Sequence, residues 1–498
     1  MRTLLAALGQ PVTSRNPTTL TDQVARALAA GRPDEIWLAL AVLTATLPGQ
    51  NAVLRAVRST RLDGPLGALT EELHRTVAAY PDAVDIGSCP VEVVTGQVVV
   101  DVNNTSRTDF ATGIQRVVRE TTRRWVRDHD PVLIGWSTDR PAMRRLLAGE
   151  VRRTLEGGVE VTLRGRPATR PVLVPWRSRY VLPELIAELD QVGGLHSMFR
   201  FSGNTSAVIG YDCVPLTVPE TVQAEAVVNG FAALLSALAH VDRLAPISHG
   251  AAGEYSGWRT MLAGAGLTGP EITTVSLAVD TVVPTENALA AARRDLIVAG
   301  LPMVLVVGSH EPRKNHLAVL HAAELLWRSG LKFSLLFIGG NTWNSERFQR
   351  RLAELKAGNR PIDMITAAAD EQLWAAYYLA RCTVFPSLDE GFGLPVAESL
   401  ASGTPTITSD FGSMREIAEA GGALLVDSRD DHDIADAIRR LLTDDDLQAT
   451  LAQQARDRPI RSWDEYAAET WTYLVDGVKP GRAPKVSAID SADSIINR

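Results

Sequence analysis

The sequence predicts an α/β protein with two doubly wound domains and a helical extension in front of them. Three observations predict it. The chain has 498 residues, more than one ordinary core accommodates, so two or three domains are expected. From about residue 93, short β-rich apolar runs alternate with helix-like stretches, the pattern of a largely parallel sheet. After residue 285 the alternation begins again and runs more cleanly.

Residues 1–92 hold helix-like runs such as TDQVARALAAGRPDEIWLALAVLTATL and LGALTEELHRTVAAY, punctuated by Gly and Pro, and form the extension. Residues 93–285 form the first domain. GQVVVDVNN is its first strand, a polar loop follows, and TGIQRVVRETTRRW has helical spacing at Ile114, Val117, Val118 and Trp125. PVLIGW, SAVIGYDCVPL, LAPIS and ITTVSLAVD are further strand-like runs, separated by helices such as VQAEAVVNGFAALLSALAH. Residues 286–478 form the second domain, entered through a linker near VPTENALAAARRDLIVAG. Six strands are expected there: MVLVVGS, FSLLFIGG, IDMITA, CTVFPS, TPTITSD and ALLVDS, each followed by a helix. Residues 479–498 read as a polar flexible tail.

Hydrophobic residues make up 45% and charged residues 22%, typical of soluble globular proteins. A net charge of −8 argues against nucleic acid as a partner. The charge is uneven: residues 101–200 carry 17 Arg and no Lys against 12 acids, an excess of five positive charges. That segment is expected to face an anionic membrane or a diphosphate-linked acceptor. Three scattered cysteines, Cys89, Cys213 and Cys382, have no metal-ligand spacing, so no metal site or disulfide framework is expected and a reducing cytoplasm fits best. No apolar run reaches the length of a membrane span, which leaves peripheral contact at the inner membrane face as the expected mode.

The stretch FPSLDEGFGLPVAESLASGTPTITSD, residues 385–410, concentrates the chemistry. Taken singly, Glu390 and Glu398 each read as a solvated helix-terminal charge. Their setting argues otherwise. Glu390 follows a strand, where an open α/β sheet presents its ligand edge. Gly391 and Gly393 allow close backbone approach, and Pro395 suits the first turn of a helix whose free N–H groups attract an anion. A carboxylate at Glu398, a turn further on, can accept hydrogen bonds from two vicinal hydroxyls such as those of ribose. Lys314 stands beside Arg313 in EPRKN, in a chain with 45 Arg and five Lys, so a lysine there reads as chosen for a phosphate oxygen. A surface charge preceding a helix is the alternative.

The seven-residue spacing between the glutamates, with VVGSHEPRKNH before them and SMREIAEAGGALLVDSRD after them, resembles retaining glycosyltransferases of family 4, which have the GT-B fold. The resemblance is dense over about residues 300–470 and looser from about 97, where TGIQRVVRE and YDCVPL are similar to a bacterial glycan-assembly subgroup. It implies two Rossmann-like domains facing a cleft. It implies a nucleotide-sugar donor as substrate, a glycan or lipid-linked acceptor, and no cofactor. By the same resemblance Glu398 binds the nucleotide ribose, while Glu390, Gly391, Phe392, Gly393 and Leu394 face the donor sugar and diphosphate. Arg313 and Lys314 neutralise the leaving diphosphate without a metal. Gly113 belongs to a glycine loop over the diphosphate, or merely starts a helix. Arg116 reaches the cleft, or lies on a basic face with Arg119, Arg123 and Arg127.

One departure stands out. Many members of the family it resembles carry His-Asp where this chain has Tyr211-Asp212, so Asp212 keeps the acidic partner and the histidine is missing. His249 and His310 are read as buried structural histidines. A hexosyl transferase is the reading adopted, with a non-catalytic GT-B scaffold that binds nucleotide sugar or glycan as the alternative. A nucleotide-sugar epimerase is a weaker third.

Overall fold

A computed structural model describes residues 1–479 except 84–85, 87, 109–111, 158–170, 187 and 223–224, with only the backbone of residues 225 and 226. From residue 480 the expected tail lies outside the described residues, as does part of the polar loop before TGIQR.

The first sheet has nine strands: β1 (Val91–Val94), β2 (Val98–Asp101), β3 (Val132–Trp136), β4 (Met143–Arg145), β5 (Val172–Pro175), β6 (Arg179–Leu182), β7 (Thr205–Gly210), β8 (Arg243–Pro246) and β9 (Glu271–Ile272). Their order is β1-β5-β4-β3-β2-β6-β7-β8-β9, parallel except for β4. The second sheet has β10 (Met303–Val307), β11 (Ser334–Ile338), β12 (Ile362–Ile365), β13 (Cys382–Phe385), β14 (Thr406–Ser409) and β15 (Ala423–Val426). All its pairings are parallel, in the order β12-β11-β10-β13-β14-β15. Numbered from β10, this is the 3-2-1-4-5-6 order of a doubly wound sheet, with its switch point between β10 and β13. The arrangement is the expected GT-B one: two parallel α/β sheets and a helical N-terminal region.

Five helices form that N-terminal region: Arg2–Ala7, Pro17–Ala27, Pro33–Thr44, Gln50–Asp63 and Pro65–Ala79. Pro33–Thr44 is apolar nearly all round and eight of its residues are buried, so it needs neighbours on every side. It finds them against the first sheet. Trp37 stacks on Trp176, ring centroids 6.2 Å apart, and donates from Nε1 to Ser197 Oγ at 3.0 Å. The extension therefore shares one hydrophobic core with the first sheet.

Three local differences from the sequence reading have physical causes. The VPTENALAAARRDLIVAG stretch is a helix, Glu286–Leu296, because the Thr285 side chain accepts from Ala288 N at 3.2 Å and caps it. ITTVSLAVD is regular strand only at its first residue, in the two-residue β9; beyond it Thr273 N, Val275 N and Leu277 N still donate to Leu244 O, Pro246 O and Ile247 O along β8, at 3.2, 3.0 and 3.1 Å. Chain order and packing part company at the C-terminal end. Residues 463–476 fall within the span expected for the second domain, yet Trp463, Tyr466, Trp471 and Tyr473 complete a core with β2, β6, β7 and β8 of the first sheet. Trp125 Nε1 donates to Ala467 O at 2.9 Å, and Val279 N donates to Arg461 O at 3.3 Å.

Candidate functional site

Because β10 and β13 are neighbours at the switch point, the segments that follow them meet. EPRKN leaves β10, and PSLDEGFG leaves β13. Arg313 and Lys314 thereby converge on Glu390. Lys314 Nζ lies 2.5 Å from Glu390 Oε1, and Arg313 Nη1 lies 2.7 Å from Glu390 Oε2. Ser387 Oγ donates to Glu390 Oε1 at 2.7 Å. Arg313 also donates to Glu311 Oε1 and to the Asp389 carbonyl, both at 2.8 Å. Burial on its own raises the Glu390 pKa, but Arg313 and then Lys314 outweigh it and hold the carboxyl down to about 2. Burial, and then Arg313, lower the Lys314 pKa, since one carboxylate serves two cations.

The Gly-Phe-Gly-Leu turn carries the chain from Glu390 into the helix Leu394–Ala401. Gly393 adopts φ 98°, a left-handed conformation that a side chain disfavours, and no side chain caps the helix after it. A Cβ on Gly391 would stand 2.9 Å from Tyr211 O and 3.1 Å from Asp212 Oδ2, so only glycine lets the turn lie against the end of β7. Asp212 thus faces the cation–carboxylate cluster. Burial raises its pKa, Arg313 opposes this, and Glu390 and Asp389 add to it. Phe392 and Leu394 pack against the core of the first sheet, so those two side chains tie the halves together across the cleft. Gly113 both starts the helix Gly113–His129 and faces the turn: a Cβ there would meet Leu394 Cδ1 at 3.5 Å.

Glu398 is buried at the base of the cleft and accepts from Tyr377 OH at 2.9 Å. Its other oxygen pairs with Arg116 Nη1, from the opposite sheet's half. Arg116 therefore belongs to the cleft. The sequence reading had left it between cleft and helix face, and it had no signal for Tyr377 or Ser387. Other contacts also cross the cleft. Ser248 Oγ donates to Gly391 O at 2.6 Å, Thr217 Oγ1 to Asp389 Oδ2 at 2.6 Å, and His249 N and Gly250 N to Glu416 Oε2 at 2.8 and 3.1 Å.

The histidine expectations divide. His310 is buried, with Nδ1 2.8 Å from Asn341 Oδ1, but the His249 side chain is exposed because it sits at the start of the helix His249–Gly264. Tyr211 turns into the core and donates to Pro183 O at 2.6 Å, so it offers the cleft no side-chain polar group. In the Arg-rich segment, Arg124 and Arg127 pair with Asp464, Arg145 with Glu92 and Arg177 with Asp34, acids outside the segment that offset part of its local excess. Among the described residues no group of three His, Cys, Asp or Glu is arranged to hold a metal, and no helix is long and apolar enough to cross a membrane.

Comparison with known proteins gives this geometry a context. Residues 291–458 match the family described as Glycosyl transferases group 1. The chain is 28% identical over 333 residues to the serotype-specific mannosyltransferase WbdA of Escherichia coli, covering 65% of this chain and 40% of that one. It is 35% identical over 199 residues to a D-inositol 3-phosphate glycosyltransferase of Acidothermus cellulolyticus, covering 37% and 44%. The chain thus spans less than half the length of these curated relatives. Sucrose-phosphate synthase of Thermosynechococcus elongatus shares the fold at TM-score 0.55 and 18% identity, covering 76% of this chain and 98% of that one. Trehalose 6-phosphate synthase of Burkholderia multivorans does so at 0.51 and 13%, covering 77% and 97%. The stretch that holds Arg313, Lys314, Glu390 and Glu398 thus matches the Glycosyl transferases group 1 family, within a chain that has the GT-B fold.

Proposed function

We propose that the protein is a retaining, metal-independent glycosyltransferase of family 4 that moves a sugar from a nucleoside-diphosphate sugar to a glycan or lipid-linked acceptor in bacterial polysaccharide assembly. The observation that carries this is the convergence of Arg313 and Lys314 on Glu390 at the switch point, with Asp212 and Gly391 meeting across the cleft. Cleaving a glycosyl-phosphate bond builds negative charge on the diphosphate. Two fixed cations in a water-poor cleft stabilise that charge. In the step proposed, the bond from the sugar C1 to the phosphate oxygen breaks while a bond from C1 to the acceptor oxygen forms on the same face. The acceptor proton passes to the departing phosphate oxygen, so no protein nucleophile is needed. Glu390 positions the two cations and the donor sugar, Glu398 holds the ribose, and the backbone of Gly391–Leu394 with Gly113 faces the diphosphate. The mannosyltransferase name of WbdA makes mannose the first sugar to test.

A second reading, a non-catalytic nucleotide-sugar or glycan-binding scaffold, is favoured by one observation: the side chain in the histidine's place is buried and turned away. Incubating the protein with UDP-, GDP- and TDP-sugars and bacterial glycan acceptors in excess EDTA separates the two. Transfer with the anomeric configuration kept supports the enzyme. Binding without turnover supports the scaffold, and turnover that EDTA abolishes and magnesium or manganese restores overturns the metal-independent mechanism.

A further inference from the structure

Arg116 and Glu398 are 282 positions apart in sequence and come from opposite walls of the cleft. Arg116 sits in the first turn of the helix Gly113–His129, fixed by the Thr112–Gln115 capping box. One guanidinium nitrogen, Nη2, is braced by Asp280 Oδ2 at 3.3 Å, and Nη1 reaches Glu398 Oε1. The opposite oxygen, Oε2, takes the Tyr377 hydroxyl at 2.9 Å. An ionised carboxylate has about four acceptor directions. With one direction on each oxygen filled by protein, one on each remains, as a pair of vicinal hydroxyls requires.

We propose that Arg116 is a positioning residue for nucleotide recognition: it reaches across the cleft to hold the Glu398 carboxylate ionised and aimed at the ribose diol, so the nucleotide site is complete only when the cleft is closed. The inference rests on the reading of Glu398 as the ribose-binding group. The Glu398 side chain is only 6% exposed, and the groups that face it are Arg116 and Asp280 from the first half and Tyr377 from the helix Asp370–Leu379; its own helix brings no other titratable group. Burial raises the Glu398 pKa, and Arg116 is the foremost influence against it. Without Arg116 a buried carboxylate faces only a phenol and a like charge. It then takes up a proton more readily and loses an acceptor direction.

The test uses UDP and GDP as probes, titrated calorimetrically into the full-length protein at about pH 6 and about pH 8.5. Wild type is expected to bind one of them with little change between the two. Arg116→Gln is expected to bind about tenfold more weakly at the lower pH, the loss of a charge-assisted contact, and to recover as Glu398 ionises at the higher pH. Arg116→Lys restores most of the affinity, and the melting temperature of each variant reports its folding. Glu398→Ala separates the two layers of the argument. If it binds as wild type does, or if wild type binds neither probe, the ribose reading fails and this inference fails with it. If Glu398→Ala loses binding while folded Arg116→Gln binds as wild type does at both pH values, this inference alone is wrong. Tighter binding by Arg116→Gln also overturns it, because Arg116 would then be competing with the nucleotide.

Discussion

Replacing Glu390 with glutamine removes one charge from the most densely charged part of the cleft and keeps the shape. The folded carboxyl titrates at about 2, against 4.5 for an unperturbed glutamate. That difference corresponds to about 3 kcal/mol of stability. The folded pKa is depressed, so the contribution is fully present above the unfolded value and is lost as pH falls through the folded one. At about pH 7 the variant should be less stable by about 3 kcal/mol, and at about pH 3 the gap should shrink to about 1 kcal/mol. Glutamine still accepts from Ser387, but it leaves Lys314 and Arg313 without their shared counter-charge, which works in the same direction. Urea titrations of wild type and variant, run in parallel by circular dichroism at both pH values, measure the gap. A difference under about 1 kcal/mol at neutral pH, or one as large at pH 3, would refute the reasoning that the two cations hold Glu390 ionised.

Three further outcomes are expected. Lys314→Ala at saturating donor should lower sugar transfer in EDTA by about 10² to 10³-fold, the usual effect of losing one donor to a developing oxyanion; normal turnover would remove Lys314 from the mechanism. Gly391→Ala places a methyl group 2.9 Å from the Tyr211 carbonyl, so the cleft should close poorly at a cost of about 1 to 3 kcal/mol. Transfer should fall while the melting temperature changes little, and unimpaired transfer would show that the turn does not need that contact. Trp37→Ala removes a fully buried ring from the shared core and should cost about 3 to 5 kcal/mol, read as a lowered melting temperature; a value near wild type would mean that the helical extension is an independent appendage.

The second half was the more legible in sequence, for a physical reason. Its inner strands β10, β11, β13 and β14 are short apolar runs buried on both faces, and β10 to β15 all coincide with runs recognisable by eye. In the first half β1, β4, β5 and β6 went unread: VEVV is interrupted by Glu92, MRR carries no apolar pattern, VLVP ends on a proline and RYVL opens on an exposed arginine. The Glu390 site was legible because its residues lie near strand ends and lysine is scarce in this chain. The partnership of Arg116 with Glu398 was not, since nothing local in either segment encodes a contact made through the tertiary fold. The same holds for Tyr211: the sequence showed that a histidine was missing, and only packing revealed the phenol bound to the Pro183 carbonyl.

The return of residues 463–476 to the first sheet means that the chain passes between the two halves twice, once near residues 280–285 and once near 457–462. The hydrogen bond from Val279 N to Arg461 O joins those passages side by side. Two bodies strung on a single thread can drift apart and twist freely. A two-ply strap bends readily across its width and resists shear along it. The walls that carry Arg116 and Glu398 are tied by that strap, so their mutual alignment is a mechanical property of the two passages as much as of the groups that meet in the cleft.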